Sequence, residues 1–289
     1  MTNTSSEKWG AACAYPLFPA EKPDIRLIAL DLDDTLLTDG LIITPRTKNA
    51  IRAAREQGIV VTLATGRMFS SALPYALELA LDAPLIVYQG AMIAMADGRV
   101  LSHRTMDKQV CIELLAFLAS LGCHVNVYHE DKLYIEQSSP EAERYGKTIR
   151  ANFHIVPNLL AMMEEKTLGA TKFAVLADAA RVKEISAALG LSFGGRISQV
   201  ASKPNFLEIG RPDAGKGAAL AEMAAGLHIG QEQIMAIGDS PNDTDMITYA
   251  GWGVVMANGD DAVKGMARWI TASNEEEGVA IAIEALALK

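Results

Sequence analysis

Short apolar runs alternate with segments of helical periodicity in the first third of the chain. Strands are predicted at Ile25–Leu30, Ile59–Thr65 and Leu85–Tyr88, because apolar runs of this length are typical of buried strands in a parallel sheet. Thr44 followed by Pro45 predicts a helix start between the first two strands. This β-α-β rhythm predicts a parallel sheet with right-handed crossovers.

The pattern changes between about residues 96 and 199. The predicted strands become more polar, and two of them, Cys123–Tyr128 and Leu133–Glu136, are close enough to form a hairpin. Helices are predicted at Lys108–Leu121, Pro140–Arg150 and Ala179–Leu189. This mixture predicts an α+β domain with its helices on one face of an antiparallel sheet.

The first pattern returns near the end of the chain, where a helix at Lys216–Gly226 precedes a strand at Ile234–Ile237. The predicted fold class is therefore α/β, with a parallel-sheet core interrupted by an inserted α+β domain. We expect an extension at 1–24, a core at 25–95 and 200–289, and an insert at 96–199.

The composition narrows the class of partner. The chain has 289 residues, 35 of them acidic and 26 basic, and half of them apolar, as in a globular protein. The net charge of −9 argues against nucleic acid or an acidic membrane surface as partner. With no apolar run of 18 residues and no CxxC pair among three cysteines, we expect a cytoplasmic protein with reduced thiols.

Two carboxylates end the first predicted strand. Asp31 and Asp33 stand two residues apart in the segment DLDDT, at the strand end that faces the ligand crevice in open α/β sheets. Close carboxylates repel each other and need a cation or a proton between them. Their hard oxygens favour Mg²⁺, while a polar turn whose Asp side chains cap backbone groups is the alternative.

Two further segments suit an anion. Thr65-Gly66-Arg67 ends the second predicted strand and offers a hydroxyl beside a glycine that permits close approach, although a simple strand-end turn also explains it. Lys216 opens a helix, where a cation reinforces the anion-attracting N-terminus; the alternative is a solvated surface lysine. Gly217 follows it, so the GxxxxGK[ST] spacing of a Walker loop is lacking.

The last polar segment is IGDSPNDTDM. A predicted strand ends there in Gly238-Asp239, and Asn242 and Asp243 lie near the next helix start, where either could serve as an N-cap. The helix that begins at Lys216 runs away from the active edge of the sheet, and the strand before Asp239 returns to it. We therefore expect these two side chains to meet.

In this order, the segments resemble the four motifs of the haloacid dehalogenase-like (HAD) phosphohydrolase superfamily. The matching segments are Asp31-Leu32-Asp33-Asp34-Thr35, Thr65, Lys216 and Gly238-Asp239-x-x-Asn242-Asp243. The chain looks closest to the Cof-type phosphatases, which implies a Rossmann-like core with an α+β cap inserted between the second and third motifs. It departs from the usual pattern at Gln89, where relatives usually have Asn, at Gly215, where Ser is common, and at Glu277, where Asp is usual.

The resemblance implies a role for each motif residue. Asp31 attacks phosphorus to form an aspartyl-phosphate, and Asp33 is the general acid and base. Mg²⁺ is held by the Asp31 carboxylate, the backbone carbonyl of Asp33 and Asp239. The implied phosphate-binding residues are Thr65, Gly66, Lys216 and Asn242, with Asp243, Thr35 and Arg67 in supporting roles.

The implied function is Mg²⁺-dependent hydrolysis of small phosphate monoesters, such as sugar phosphates or phosphorylated cofactors, by a monomer or homodimer. A phosphomutase of the same superfamily and a non-enzymatic protein that binds phosphorylated metabolites are the alternatives. The predicted hairpin turn offers candidates for substrate selection, although an ordinary polar hairpin explains them too. These candidates are Tyr128, His129, Glu130 and Lys132.

Overall fold

The computed structural model describes residues 22–138, 143, 146, 152–203 and 205–289. The expected extension at 1–24 lies almost entirely outside these residues, and so does the expected helix at Pro140–Arg150. Within the described ranges, no helix combines the length and the apolar character that crossing a membrane requires.

The core is a parallel sheet with strand order β14-β13-β12-β1-β2. The strands are Leu27–Leu30 (β1), Val60–Leu63 (β2), Ile234–Gly238 (β12), Trp252–Val255 (β13) and Trp269–Ile270 (β14). Since β1 lies between β12 and β2, its residues are buried on both faces, which is why it is apolar throughout.

The register of this sheet aligns the carboxyl ends of three strands. Leu30 of β1 pairs with Ile237 of β12 on one side and with Leu63 of β2 on the other. The backbone N–H of Asp31 then donates to the carbonyl of Ile237 at 3.0 Å. The polar residues that follow the three strands, including Asp239 and Thr65, therefore emerge at one edge.

Helices cover both faces of the core sheet. The helices of the molecule are Pro45–Glu56 (α1), Phe69–Glu78 (α2), Lys108–Ser120 (α3), Leu159–Glu165 (α4), Ala179–Phe193 (α5), Lys216–Gly226 (α6), Thr244–Tyr249 (α7), Asp261–Lys264 (α8) and Gly278–Leu286 (α9). Ile28 packs in the cluster with α1 and α9, and Leu27 in the cluster with α6 and α7. As expected, Thr44 caps α1 by accepting from the N–H of Thr47.

The inserted region forms a six-stranded, mainly antiparallel sheet with the order β10-β11-β9-β6-β7-β8. Its strands are His124–His129 (β6), Lys132–Ile135 (β7), Phe153–Ile155 (β8), Lys172–Leu176 (β9), Ser198–Lys203 (β10) and Phe206–Gly210 (β11). Helices α3 and α5 supply Leu114 and Ile185 to an apolar cluster with Phe173 of β9. This layer of helices against the sheet agrees with the α+β organisation expected for the insert.

A small antiparallel sheet connects the two regions. Leu85–Val87 (β3), Met92–Ala94 (β4) and Val100–His103 (β5) form it, and a single parallel bridge between Ala64 and Ile86 joins it to the end of β2. The segment expected as a third parallel strand therefore turns into an antiparallel hairpin, because β4 follows it too closely for a crossover helix.

The α/β fold class, with a parallel core and an additional mixed region, is confirmed. The domain limits stay a prediction, but strand pairing favours different ones from the 96–199 expected for the insert. Strand β5 pairs with β4, next to the core, and β10 and β11 pair with the inserted sheet up to Gly210. Residues 200–203 and 206–210 therefore belong with the insert by hydrogen bonding.

Candidate active site

A buried lysine links two carboxylates at the carboxyl edge of the core sheet. The Nζ atom of Lys216 lies 2.6 Å from Oδ1 of Asp31 and 2.6 Å from Oδ1 of Asp243. The side chains of Lys216 and Asp243 are fully buried, and that of Asp31 is 6% exposed. Lys216 is thus a partner of buried carboxylates, and the surface alternative does not apply.

Burial and charge act in opposite directions on this lysine and its partners. Burial raises the pKa of Asp31 well above its usual value; the ammonium of Lys216 opposes that rise, and the carboxylates of Asp243 and Asp239 add to it. Burial alone would lower the pKa of Lys216, but the carboxylates of Asp243 and Asp31 raise it above its usual value. Lys216 is therefore held as a cation beside Asp31.

Asp243 is fixed by the backbone of the preceding strand end. Its Oδ2 atom accepts from the N–H groups of Asp239 and Ser240, both at 3.0 Å. Gly238 makes this approach possible, since a Cβ atom there would lie 2.5 Å from Cγ of Asp243. One oxygen of Asp243 is thus bound by Lys216 and the other by the backbone of the loop.

Asp239 is held by a hydroxyl from the first motif. The Oγ1 atom of Thr35 donates to Oδ1 of Asp239 at 2.6 Å across 204 residues of sequence. Burial raises the pKa of Asp239 to about 7, the neighbouring Asp243 carboxylate adds to the rise, and the bond from Thr35 opposes it. The supporting role expected of Thr35 is thus to position a carboxylate of the neighbouring strand.

The carboxylates have a chemistry that suits a divalent cation. Oxygens of Asp31, Asp239 and Asp243 lie within 4.8 Å of one another. Burial, and then the neighbouring carboxylates, raise the pKa values of Asp31 and Asp239, so a further positive charge is needed to ionise these two side chains together. Since Asp243 is already engaged, the free lone pairs of Asp31 and Asp239 fit a hard cation best.

Asp33 is engaged by an arginine of the second strand end. Nε of Arg67 lies 2.8 Å from Oδ2 of Asp33, and Nη2 lies 2.6 Å from Oδ1, so that the ion pair is bidentate. Arg67 is almost fully buried, while the Asp33 side chain is 36% exposed. Arg67 was expected to reach the substrate or to pair with a surface carboxylate; it pairs with the partly exposed carboxylate of Asp33, the candidate acid and base. Asp34, at φ 60°, turns the chain directly after it.

The other expected phosphate-binding residues lie close by, but their side chains and backbone are partly engaged. The hydroxyl of Thr65 accepts from the N–H of Arg67 at 3.1 Å, and the carbonyl of Gly66 accepts from Lys172 at 2.7 Å. Oδ1 of Asn242 accepts from the hydroxyl of Ser240 in the turn before α7. The residue before α7 is Asp243, whose side chain makes no capping hydrogen bond, so the N-cap role that the sequence left open for Asn242 or Asp243 is not observed.

Residues 28–283 match the haloacid dehalogenase-like hydrolase family. The chain belongs to this family. It is 30% identical over 278 residues to "Phosphatase YwpJ" of Bacillus subtilis (strain 168), covering 89% of this chain and 98% of the relative. "5-Amino-6-(5-phospho-D-ribitylamino)uracil phosphatase YcsE" of the same strain is 31% identical over 263 residues, with 91% and 96% covered. A haloacid dehalogenase-like hydrolase from Bacteroides thetaiotaomicron has the same fold, with a TM-score of 0.81, 28% identity, and 90% and 98% coverage.

In this HAD-like hydrolase, the predicted cap hairpin is present, but its candidate residues differ in where they lie. The ring of Tyr128 is buried, 4.8 Å from Nζ of Lys172. His129 is buried against the carbonyl of Gly169, and Glu130 is largely exposed beside it. Tyr128 is thus the candidate that contacts Lys172 of β9, while Lys132 is exposed at the start of β7.

Three residues that the sequence analysis did not name as site candidates lie where insert and core make contact. Asp131, in the hairpin turn, accepts from the hydroxyl of Tyr88 at 2.8 Å and from the N–H of Ser70. Lys172 and Glu208 lie buried in the inserted sheet, next to Gly66. The position of Glu208 inside the otherwise apolar segment FLEIG could have marked it as a buried charge. No comparable pattern in the sequence marked Asp131.

Proposed function

We propose that this protein is a divalent-metal-dependent phosphatase that hydrolyses small phosphate monoesters through an aspartyl-phosphate on Asp31. The observation that carries the proposal is the buried Asp31 carboxylate at the end of β1, held by the ammonium of Lys216 at 2.6 Å. Such a cation favours the ionised, nucleophilic form of a buried carboxylate and so opposes the effect of burial. The named activities of the relatives support the same reaction class.

The first proposed step transfers the phosphoryl group to Asp31. Oδ1 of Asp31 is bound by Lys216, so Oδ2 attacks phosphorus while the bond from phosphorus to the leaving oxygen breaks. The carboxyl group of Asp33 gives its proton to that oxygen, which departs as an alcohol. Lys216, Thr65 and the backbone at Gly66 bind the phosphoryl oxygens and stabilise their charge.

The second proposed step is hydrolysis of the aspartyl-phosphate. Asp33, now a carboxylate, takes a proton from water as the water oxygen bonds to phosphorus, and the carboxylate of Asp31 is released with inorganic phosphate. The bidentate contact with Arg67 favours the ionised form of Asp33 and aims it. Arg67 therefore supports the half-reaction in which Asp33 acts as base.

Asp31 and Asp239, with the backbone carbonyl of Asp33, are the proposed ligands of Mg²⁺. When bound, Mg²⁺ supplies positive charge that offsets the phosphoryl oxygens beside the Asp31 carboxylate. Thr35 holds Asp239 in place for this role, and Asp243 holds Lys216. We propose that Asn242 shapes the loop between β12 and α7 through its hydrogen bond with Ser240.

A panel of phosphate monoesters tests the proposal. Sugar phosphates, polyol phosphates and phosphorylated cofactors are incubated with the protein and Mg²⁺, and inorganic phosphate is measured. We expect release that stops with EDTA and returns with added Mg²⁺. Absence of release from every ester of the panel would refute the phosphatase function, and ³¹P NMR showing transfer to another hydroxyl in place of water would indicate a mutase.

A further inference from the structure

Two charged side chains of the inserted sheet are buried against the second motif of the core. Nζ of Lys172 (β9) lies 3.3 Å from Oε2 of Glu208 (β11), and the side chains are only 5% and 10% exposed. Lys172 also donates to the carbonyl of Gly66 at 2.7 Å. Gln89 of the core donates from Nε2 to the same Glu208 oxygen at 2.9 Å. We call Gly66, Gln89, Lys172 and Glu208 the cap–core cluster.

The amide of Gln89 lies directly over Gly66. A Cβ atom at Gly66 would be 2.3 Å from Nε2 of Gln89, so only glycine leaves room for it. Residue 89 is also in the left-handed backbone region, with φ 55°, which fixes the direction of the side chain. Its Oε1 atom is buried and has no hydrogen-bond partner in the described part of the protein. A buried acceptor of this kind calls for a donor from a ligand.

A cavity of about 430 Å³ lies against this cluster and reaches two residues of the candidate active site, Lys216 and Asn242. Gln89, Lys172 and Glu208 line one part of the cavity, and Lys216 and Asn242 line another. A phosphate ester whose phosphoryl group is bound beside Lys216 would therefore extend its leaving group towards the cap–core cluster. The volume suits a leaving group of metabolite size.

The cations of this cavity already have carboxylate partners. Lys172 pairs with Glu208, and Lys216 pairs with Asp31. The remaining cation of the lining, Arg211, pairs with the neighbouring Asp213 at 2.7 Å. A leaving group with a second phosphate would have to separate one of these pairs, whereas hydroxyl groups can donate to Glu208 and Gln89 and accept from Lys172 without doing so.

We propose that Gln89, Lys172 and Glu208 are specificity-determining residues that bind an uncharged, hydroxyl-bearing leaving group and disfavour one that carries a second phosphate. This inference rests on the proposed phosphatase function. Holding the cap on the core would not by itself require the pair, because an apolar pair of similar volume often serves stability as well as a buried ion pair does.

Opposite effects are expected when either residue of the Lys172–Glu208 ion pair is substituted. Glu208→Gln leaves Lys172 without its counter-charge, so the ratio of kcat/KM for fructose 1,6-bisphosphate to kcat/KM for ribitol 5-phosphate should rise at least about tenfold. Lys172→Met leaves Glu208 alone, and the same ratio should fall. Any effect of these variants on binding of the phosphoryl group itself appears in kcat/KM for p-nitrophenyl phosphate, whose leaving group has no free hydroxyl or second phosphate. The ratio for the other two esters should change more than this constant does.

Two variants serve as controls. Glu113→Gln makes the same change in an exposed ion pair of the inserted region, with Arg196, and should leave the ratio unchanged. Gln89→Asn shortens the side chain without changing charge, and should lower kcat/KM for ribitol 5-phosphate while the ratio moves less than in Glu208→Gln. Thermal unfolding of each variant shows whether it is folded.

Binding separates this inference from the proposed function. Calorimetry with Asp31→Asn and with the Asp31→Asn/Glu208→Gln double variant, in Mg²⁺, gives affinities for both esters without turnover. We expect Glu208→Gln to raise the affinity for fructose 1,6-bisphosphate relative to that for ribitol 5-phosphate. If this shift is found but the wild-type protein hydrolyses none of the esters, the specificity assignment stands and the phosphatase function is refuted. If the wild-type protein hydrolyses the esters but the ratio of the two kcat/KM values is the same in Glu208→Gln and Lys172→Met, the specificity assignment is overturned and the phosphatase function stands. Equal losses for all three esters would have the same meaning.

Discussion

The buried charges of the core and those of the cap–core cluster are held together in different ways. Lys216, Asp31 and Asp243 belong to one parallel sheet and the loops and helix that directly adjoin it. Lys172 and Glu208 belong to the inserted sheet and contact the core at Gly66 and Gln89. The core network is therefore a product of one sheet, whereas the cluster exists only where two regions touch.

We expect this difference to separate the residues that carry out the reaction from those that select the leaving group. The register of the core sheet sets the distances among the core charges, so their chemistry does not depend on which leaving group is present. The contacts of the cap–core cluster depend on what the insert brings to the core, and they change when the inserted sequence changes. Variants in the core should therefore affect all esters alike, while variants in the cluster should affect them differently.

The largest effect is expected for Asp31→Asn. It removes the proposed nucleophile but keeps the shape of the side chain, so turnover should fall at least about a thousandfold for every ester while the far-UV circular dichroism is unchanged. Asp34→Asn is the control on the same loop, because Asn tolerates its left-handed backbone. Wild-type turnover in Asp31→Asn would exclude this residue as nucleophile.

The second expected effect is on stability. Lys216→Met leaves the carboxylates of Asp31 and Asp243 buried without their cation, which should lower the free energy of unfolding by about 3–5 kcal/mol in EDTA. The matched Lys48→Met removes an exposed ion pair with Glu78 and should cost less than about 1 kcal/mol. Urea denaturation measures both. Equal losses would show that the buried network adds nothing to stability.

The third expectation concerns pH and the cation. The pKa of Asp239 is raised to about 7 from an ordinary value of 3.8, so the folded protein binds more protons than the unfolded chain between these values. In EDTA, this group therefore makes stability fall as the pH rises through that window. Mg²⁺ needs the ionised carboxylate, so the increase in Tm on adding Mg²⁺ should be larger at pH 8 than at pH 6. An increase independent of pH would contradict this assignment.

The smallest effect is expected at the hairpin turn of the insert. Asp131→Ala removes the acceptor for Tyr88 and Ser70, so the Ser70 amide should exchange hydrogen faster and kcat/KM should fall by about three- to tenfold. Glu130→Ala is a close control, because both residues have positive φ, 50° and 53°, and Glu130 is exposed. Equal effects of the two variants would indicate backbone strain as the cause.

Much of the core could be predicted because its signals are local. Apolar runs marked β1, β2 and β12, the pair Thr44-Pro45 marked the start of α1, and polar residues marked the carboxyl ends of the strands. Since parallel strands present these ends at one edge, Lys216 and Asp239 could be placed in one site from the sequence. The family resemblance rested on the same residues and is confirmed.

The partners of Arg67 and Asp131 could not be predicted in the same way. Arg67 had several carboxylates within reach, and only the turn after Asp34 brings Asp33 to it. The contact of Asp131 depends on how the insert lies on the core, which no local pattern encodes. The pairing of β10 and β11 with the inserted sheet could not be read from the sequence, because it is long-range and antiparallel.

The sequence by itself determined the order of strands and helices, the charged residues at the strand ends and the family. Tertiary structure decided which charges pair: Lys216 with both Asp31 and Asp243, Asp33 with Arg67, and Lys172 with Glu208. The physical reason is that periodicity and residue type act over a few positions along the chain. An ion pair across up to 185 residues depends on sheet register and on packing between domains, which form only in the folded molecule.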